Sequence, residues 1–434
     1  MLKKVLIITY YWPPGSGPGV QRWLKFSKFL PEYGWEPIIV TVNNGSYPST
    51  DESLFCDISE EITVRKTSTL EPFTVYNLLR GKKGKSVEAS TETETSKSNV
   101  FQQFSNFIRA NFFIPDARKG WNQFALKAAK ELIESEKPSI IITTGPPHST
   151  HLVGLKLKEQ YKIPWIADFR DPWTTSYSRS YLPLTKRSHK LNIEFEAKVL
   201  QSVSALITAT PSMETELASR TTKVQTISNS YDEDDFTTEK PKASEKFVIA
   251  YVGNLKSVQN AHVVWRALVE LCEEVDGFRD NFEFQITGNV SNTVLNSLAA
   301  AGLKSNVCLR EFAHHKVAIG HMQSAHLLFL PIPKSENNKV ILTGKVFEYL
   351  ATERPILGIG PVDGDAAELL KTCGRPEMID YENKSAIKTR ILALYESFLL
   401  DSVPSSEGNE VHKTFTRRNA TKDLSQLLNS LVSG

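Results

Sequence analysis

The 434-residue chain has few cysteines and methionines, no long apolar runs and almost no net charge. Its four cysteines, Cys56, Cys272, Cys308 and Cys373, stand far apart without Cys-x-x-Cys spacing, which argues against a zinc site or a disulfide framework. They read as buried, reduced thiols of a cytosolic protein. No run approaches membrane-span length, so a soluble chain, or one held at a membrane surface, is expected. A net charge of +2 excludes a protein defined by a nucleic-acid-scale positive field, and no nucleic-acid partner is expected. The opening "MLKKVLIITYYWPP" carries two lysines before an apolar run. That run is too short for a signal peptide, and Trp12-Pro13-Pro14 stands where a cleavage site belongs. It reads as a first β-strand.

What the chain does contain is short apolar runs ending in Gly, Thr, Asp or Asn. They fall at 5–9, 37–42, 139–145, 165–171 and 205–212, then again at 247–254, 282–289, 326–333 and 355–360. Helix-period segments lie among them, at 22–33, 121–136, 189–202, 260–275 and 344–353. This alternation implies parallel sheets covered on both faces. The length is too great for one ordinary core. The fold expected is therefore α/β, with two doubly wound Rossmann-like domains facing across a cleft. The polar stretch "DEDDFTTEKPKASEK" at 232–246 reads as the linker, giving domains at 1–235 and 246–412. The last helix, within 413–434, has the option of packing back onto the first domain. The segment 81–98 reads as a disordered surface loop, and a further loop is expected near 402–410.

In open α/β sheets ligands bind beyond the carboxyl ends of the strands, so residues just after strands are the candidates. In "YYWPPGSGPGVQRWLKF" (10–26), Gly15, Gly17 and Gly19 lie between a strand and a helix and let backbone approach a phosphate or sugar. Val20 stands where a dinucleotide fingerprint needs its third glycine, and no acidic residue ends the next strand. NAD(P) is thus disfavoured, while a plain glycine turn stays open. "TTGPPHSTHLVG" (143–154) places His148 and His151 at a helix start, where each is either structural or aimed at a ligand. "WIADFRDPW" (165–173) crowds Asp168, Arg170 and Asp171 at a strand end; Arg170 is expected to brace the two carboxylates, to bind acceptor hydroxyls, or both. The cluster "DEDD" (232–235) reads as a solvated loop rather than a metal site. In the second half, Gly253, Asn254 and Lys256 follow one strand and Gly288 another. "LTGKVFEYLATERP" (342–355) sets Lys345 and Glu348 on one helical face behind Thr343-Gly344, either as a solvated ion pair or as ligand contacts.

Taken together, these motifs resemble retaining glycosyltransferases of family 4 with the GT-B fold, over nearly the whole chain except 81–98. "ITYYWPPGSGPGVQRWLKFSKFLPEYGWEPIIVTV" is similar to the family's opening strand, glycine loop, helix and second strand. "ALITATPSMETEL" resembles its last N-domain strand, and "ISNSYDEDDF" its N-G-x-D-x-x-x-F turn with Ser230 for the glycine. "PPHSTHLVG…IPWIADFRDPWT" looks like a subgroup associated with bacterial surface-polysaccharide synthesis. The family's Glu-x7-Glu pair is broken: Glu348 matches the second position and Val340 occupies the first. Asn254 and Gln259 stand where most members carry Arg and Lys. The resemblance implies that Lys345 replaces the cation beside the donor diphosphate and that Glu348 holds the ribose.

From that resemblance come the functional expectations. The enzyme needs no metal and no cofactor, and it uses a nucleoside diphosphate sugar as donor. Lys345 and His148 are the catalytic candidates. Donor contacts are Gly17, Gly19, Gly253, Asn254, Lys256, Gly288, Thr343, Gly344, Lys345 and Glu348. Acceptor-side contacts are Asp168, Arg170, Asp171 and His151. The acceptor is a glycan, with a polyprenyl-linked one favoured, and the location is the cytoplasm with the inner membrane face as an option. Helical spacing of Phe101, Phe104, Phe107, Ile108 and Phe112, with Arg109, Arg118 and Lys119 nearby, fits either a core helix or peripheral membrane contact. Two other readings stay open: a sugar-nucleotide epimerase of the same architecture, and a catalytically silent GT-B partner.

Overall fold

The computed structural model describes residues 2–47, 49–70, 100–176, 182–221, 223–236, 244–311, 313–402 and 408–432. The loop expected at 81–98 lies outside them, as do the middle of the expected linker and most of the 402–410 loop. The chain divides into two compact units, Met1–Asn229 with Arg417–Gly434, and Ser230–Thr416. The final helix, Arg417–Val432, thus belongs to the first unit. The DEDD cluster belongs to the second.

The first unit is built on strands β1 (Lys3–Ile8), β2 (Trp35–Val42), β3 (Thr63–Thr67), β4 (Ile140–Gly145), β5 (Trp165–Phe169), β6 (Ala205–Thr208) and β7 (Val224–Thr226). They pair in parallel in the order β3-β2-β1-β4-β5-β6-β7. Leu6 of β1 stands level with Ile38 of β2 on one side and Ile141 of β4 on the other. The apolar runs of the central strands face both ways, so two separate cores form, one on each face. Helix Pro18–Phe29 and the final helix contribute to one of them, and helices Asn122–Glu136 and Ser149–Tyr161 to the other.

The second unit repeats the plan with β8 (Phe247–Val252), β9 (Phe282–Thr287), β10 (Val307–Arg310), β11 (Leu327–Pro331) and β12 (Ile356–Ile359). Their order is β10-β9-β8-β11-β12, again all parallel and cored on both faces. In each sheet the direction of winding reverses once, between β1 and β4 and between β8 and β11. Loops that diverge at such a reversal leave a crevice at the carboxyl ends of the strands. Most of the candidate residues stand on or beside these four loops.

All seven tryptophans are fully buried. Most use the indole N–H to pin a neighbouring element: Trp121 donates to Thr67 Oγ1 at 2.7 Å and Trp265 to Asn260 Oδ1 at 2.8 Å. The cysteines are free, but they are not uniformly buried as expected. Cys373 is buried, Cys272 and Cys308 are intermediate, and Cys56 is exposed. No helix among the described residues is long and apolar enough to cross a membrane.

Candidate functional site

The second unit holds the more complete constellation. β8 ends at Val252, and Gly253 then takes φ of 117°, a backbone region open to glycine and strained for other residues. Its N–H donates to Thr287 O at 2.8 Å. Gly288, at the end of β9, has φ of 112°, and a Cβ there would lie 2.7 Å from the Gly253 carbonyl oxygen. The two glycines form a floor with no side chains. Above it lies the Lys345 amine, 3.0 Å from where a Gly253 Cβ would be.

Lys345 occupies the first turn of helix Gly344–Ala351, whose N-cap is Thr343. The Thr343 hydroxyl caps no helix N–H, and it is buried with no hydrogen-bond partner among the described residues. The helix start thus combines the positive end of the helix dipole with an unused hydroxyl. Lys345 Nζ donates to Tyr251 Oη at 2.6 Å and lies 3.8 Å from that ring's centroid. The Tyr251 hydroxyl in turn donates to Asn254 O at 2.7 Å. Burial pushes the Lys345 pKa down to about 7; Glu348 opposes the shift and Lys256 adds to it.

Glu348, one turn further on, does not close an ion pair with Lys345. Its Oε1 faces His315 Nε2 at 3.7 Å, and the same nitrogen lies 3.2 Å from Asp235 Oδ2. His315 carried no signal in the sequence beyond its place in "HHK". Asp235 is 8% exposed and Asp232 3%, so the solvated DEDD loop expected from sequence is corrected at its two ends, while Asp234 between them is exposed. Asp232 accepts from the Asp234 N–H and opens the turn Glu233–Asp235. Gln259, at the family's lysine position, braces a loop instead: it accepts from the Lys256 N–H at 3.2 Å and donates to Pro331 O at 2.9 Å. Val340 lies in a short turn opened by Asn337 and makes no polar contact through its side chain.

In the first unit, Gly17 (φ 101°) precedes Pro18 at the first helical position, and a Cβ on it would meet nothing within 4 Å. The neighbouring glycines serve packing. A Cβ on Gly15 would strike the Tyr47 ring at 2.6 Å, and one on Gly19 would lie 2.0 Å from Arg170 Nη1. The missing side chain at Gly19, expected to admit a donor, therefore admits the Arg170 guanidinium.

Two acceptor-side expectations are corrected by burial. Asp168 is fully buried, accepting from Arg22 Nη2 at 2.9 Å, Trp23 Nε1 at 2.7 Å and the Thr144 hydroxyl at 2.8 Å. Its cationic partner is Arg22, not Arg170. These bonds brace helix Pro18–Phe29 against β4 and β5 and engage both carboxylate oxygens in the interior. His151 is also fully buried, with Nδ1 2.9 Å from Thr143 Oγ1 and a pKa pushed down to about 3 by burial. It is neutral and interior. Arg170 stays partly accessible beside the exposed Asp171, 3.6 Å away. His148, 9% exposed, stacks on Trp173 with centroids 5.0 Å apart and planes at 6°. The helix behind it, Ser149–Tyr161, is capped from a distance: Asp116 accepts from the Ser149 N–H and hydroxyl, both at 2.8 Å. Among the described residues no group of three or more His, Cys, Asp or Glu is placed to hold a metal.

Two doubly wound units, one with a lysine and an open helix start over a glycine floor, define an α/β protein of the GT-B fold. Residues 89–235 match the profile of Glycosyltransferase Family 4. No curated protein sequence matches the chain. Solved structures match over its whole length. A glycosyltransferase from Rickettsia africae shares 13% identity at a TM-score of 0.62, with 100% of this chain and 99% of that one covered. Staphylococcus aureus TarM, solved with fondaparinux, α-GlcNAc-glycerol and UDP, gives 13%, 0.60 and full coverage of both chains. WaaG, named as a glycosyltransferase involved in lipopolysaccharide biosynthesis, gives 12% and 0.57 over 99% and 98%. At these identities the likeness establishes the fold, and the family 4 profile supports a glycosyltransferase.

Proposed function

We propose that the chain is a retaining glycosyltransferase. It moves a sugar from a nucleoside diphosphate sugar to a glycan acceptor, without a metal or other cofactor. The observation behind this reading is the Lys345 amine held over the Gly253 floor, at a helix start with an unused Thr343 hydroxyl. Glycosyl transfer builds negative charge on the departing diphosphate. A preorganised cation and free backbone N–H groups stabilise that charge most where water is excluded. Asn254, Lys256, Gly288 and Gly344 border the same place, and Glu348 accepts the ribose hydroxyls from one turn further along. Retention follows from the family resemblance: attack comes from the leaving-group face, with no protein nucleophile required.

His148, Arg170 and Asp171 are the acceptor-side groups of this reading, with Gly17 the open glycine of the first loop. The acceptor is a polyprenyl-linked glycan for surface-polysaccharide synthesis, met at the cytoplasmic face of a membrane. Support for a membrane-borne acceptor comes from helix Val100–Phe112, which exposes Phe107 and Phe112 next to the exposed Lys119.

The test is a thermal-shift screen with UDP, GDP, CMP and dTDP, followed by transfer assays with the matching nucleotide sugars. A ligand at a hundred times its Kd stabilises by about 2.7 kcal/mol. Stabilisation by one nucleotide and sugar transfer to a lipid-linked glycan with the anomeric configuration kept is the result expected. Conversion of the nucleotide sugar without acceptor would make the chain an epimerase, and binding without turnover a silent partner. No response to any nucleotide would overturn the donor site.

A further inference from the structure

Glu348 sits three residues after Lys345 on the same helix, a spacing at which opposite charges on a helix pair with each other. They are within electrostatic reach, since Glu348 raises the Lys345 pKa against the effect of burial. A closed pair would neutralise the cation that a diphosphate needs and would occupy the carboxylate that a ribose needs. In the structure the pair is not closed. Lys345 turns to Tyr251, and Glu348 turns to His315.

We infer that His315 is a positioning residue: it holds the Glu348 carboxylate away from Lys345 and in place for the ribose hydroxyls, anchored on its own side by Asp235. This rests on the donor-site reading above and adds a residue to it. The geometry is a three-membered relay within the second unit. Asp235 Oδ2 lies 3.2 Å from His315 Nε2, and Glu348 Oε1 lies 3.7 Å from the same nitrogen. Asp235 Oδ2 can only accept when ionised, so the imidazole form that suits this 3.2 Å approach is the one with its proton on Nε2. The Glu348 oxygen, at 3.7 Å, is held by attraction to that polarised N–H without being saturated by it. It therefore keeps its acceptor capacity for a ligand.

The parts come from three separate elements, which makes the arrangement a device of the fold rather than of one helix. Asp235 ends the turn opened by Asp232, and both of these residues are buried. His315 is the first residue of helix His315–Ser324, and Glu348 lies on helix Gly344–Ala351. All three side chains are at least three-quarters buried, with exposures of 8%, 21% and 23%, so the attraction is less screened than at a free surface. The aspartate of the DEDD cluster thus acquires a role that needs no metal.

The experiment compares ribose recognition, not overall affinity. Calorimetry measures UDP and GDP against their 2′,3′-dideoxy forms in the wild type and in Glu348→Gln, His315→Ala, His315→Gln and Asp235→Asn. The wild type should prefer the ribonucleotide by about tenfold or more, the worth of hydrogen bonds to a charged acceptor. His315→Ala and Asp235→Asn should reduce that ratio severalfold while the dideoxy affinity changes little. His315→Gln, which restores an N–H donor, should recover part of it. A ratio that survives His315→Ala but falls in Glu348→Gln overturns the positioning role alone. A ratio that survives Glu348→Gln overturns the ribose role of Glu348, and the inference with it. Equal losses for both ligands in His315→Ala leave the ratio intact and also overturn it. The isosteric Asp235→Asn keeps the test decisive if His315→Ala fails to fold.

Discussion

The Lys345 amine lies 2.6 Å from the Tyr251 hydroxyl, on the face of the same ring, and over a glycine whose Cβ it would nearly touch. A lysine is rarely enclosed this way without a carboxylate partner, because burial disfavours its charge. The arrangement is costly in itself and suits an anion. Lys345→Met keeps the packing and removes the cation. It should weaken nucleoside diphosphate binding by about tenfold to a hundredfold, the range for charge-assisted hydrogen bonds. The melting temperature without ligand should not fall, since replacing a buried charge with an apolar group of similar volume is neutral or stabilising. Calorimetry and thermal unfolding read the two effects separately.

The pH dependence follows from the same residue. Its pKa is lowered from 10.5 to about 7 in the folded chain. Below about 7 both folded and unfolded chains carry the proton, and the cost of burying the charge is present in full. Between 7 and 10.5 the unfolded chain binds more protons at this position, so stability rises with pH across that window. Urea unfolding at about pH 7 and about pH 9 should show this rise in the wild type, reduced in Lys345→Met. Binding has the opposite slope. A diphosphate draws the proton back onto the amine, so affinity should fall as pH rises above about 7. Calorimetry in buffers of different ionisation enthalpy should register proton uptake, absent in Lys345→Met.

Asp168 shows how a site motif in sequence can be an internal brace. Its carboxylate takes bonds from Arg22, Trp23 and Thr144, all in the interior. Arg22→Ala leaves that charge buried without its partner and should cost about 3–5 kcal/mol of stability. Asp168→Asn should also destabilise. In folded protein near room temperature, neither variant should change acceptor KM more than a few-fold, whereas an acceptor-binding Asp168 would raise it strongly. Chemical denaturation and acceptor titration separate the two roles.

What the sequence made legible, and what it did not, divides along burial. The central strands β1, β2, β4, β5, β8, β9 and β11 are buried on both faces and announce themselves as continuous apolar runs. The strands that escaped notice, β3 (TVRKT), β7 (VQT) and β10 (VCLR), all lie at sheet edges, and no residue of theirs is fully buried. These three have one neighbour and a solvated side, so neither periodicity nor an apolar run marks them, whereas β12, also at an edge but buried along its length, shows as the apolar run 355–360. The same logic applies at the site. Gly253, Gly288 and the Thr343-Gly344-Lys345 start were visible because glycine and helix punctuation are local signals. The partners Tyr251 for Lys345, Arg22 for Asp168 and His315 for Glu348 were not, since 94, 146 and 33 positions of chain separate them. Spacing in sequence reports neighbours on one element, and these contacts join different ones.

His148 carries the remaining chemistry on the acceptor side, where stacking and catalysis have to be told apart. The ring lies flat on Trp173 and edge-on to Phe169, so His148→Ala would remove packing along with the imidazole. His148→Phe keeps an aromatic ring on the indole, somewhat larger than imidazole, and removes the nitrogens. If the imidazole contacts the acceptor hydroxyl during transfer, His148→Phe should lower the transfer rate by about a hundredfold or more. Nucleotide affinity should stay within twofold or so, because the second unit supplies the donor contacts in this reading. His148→Ala should add a loss of stability to that kinetic defect. A His148→Phe enzyme that transfers at close to the wild-type rate would reduce His148 to a packing residue and move the search for the acceptor-side group to Arg170.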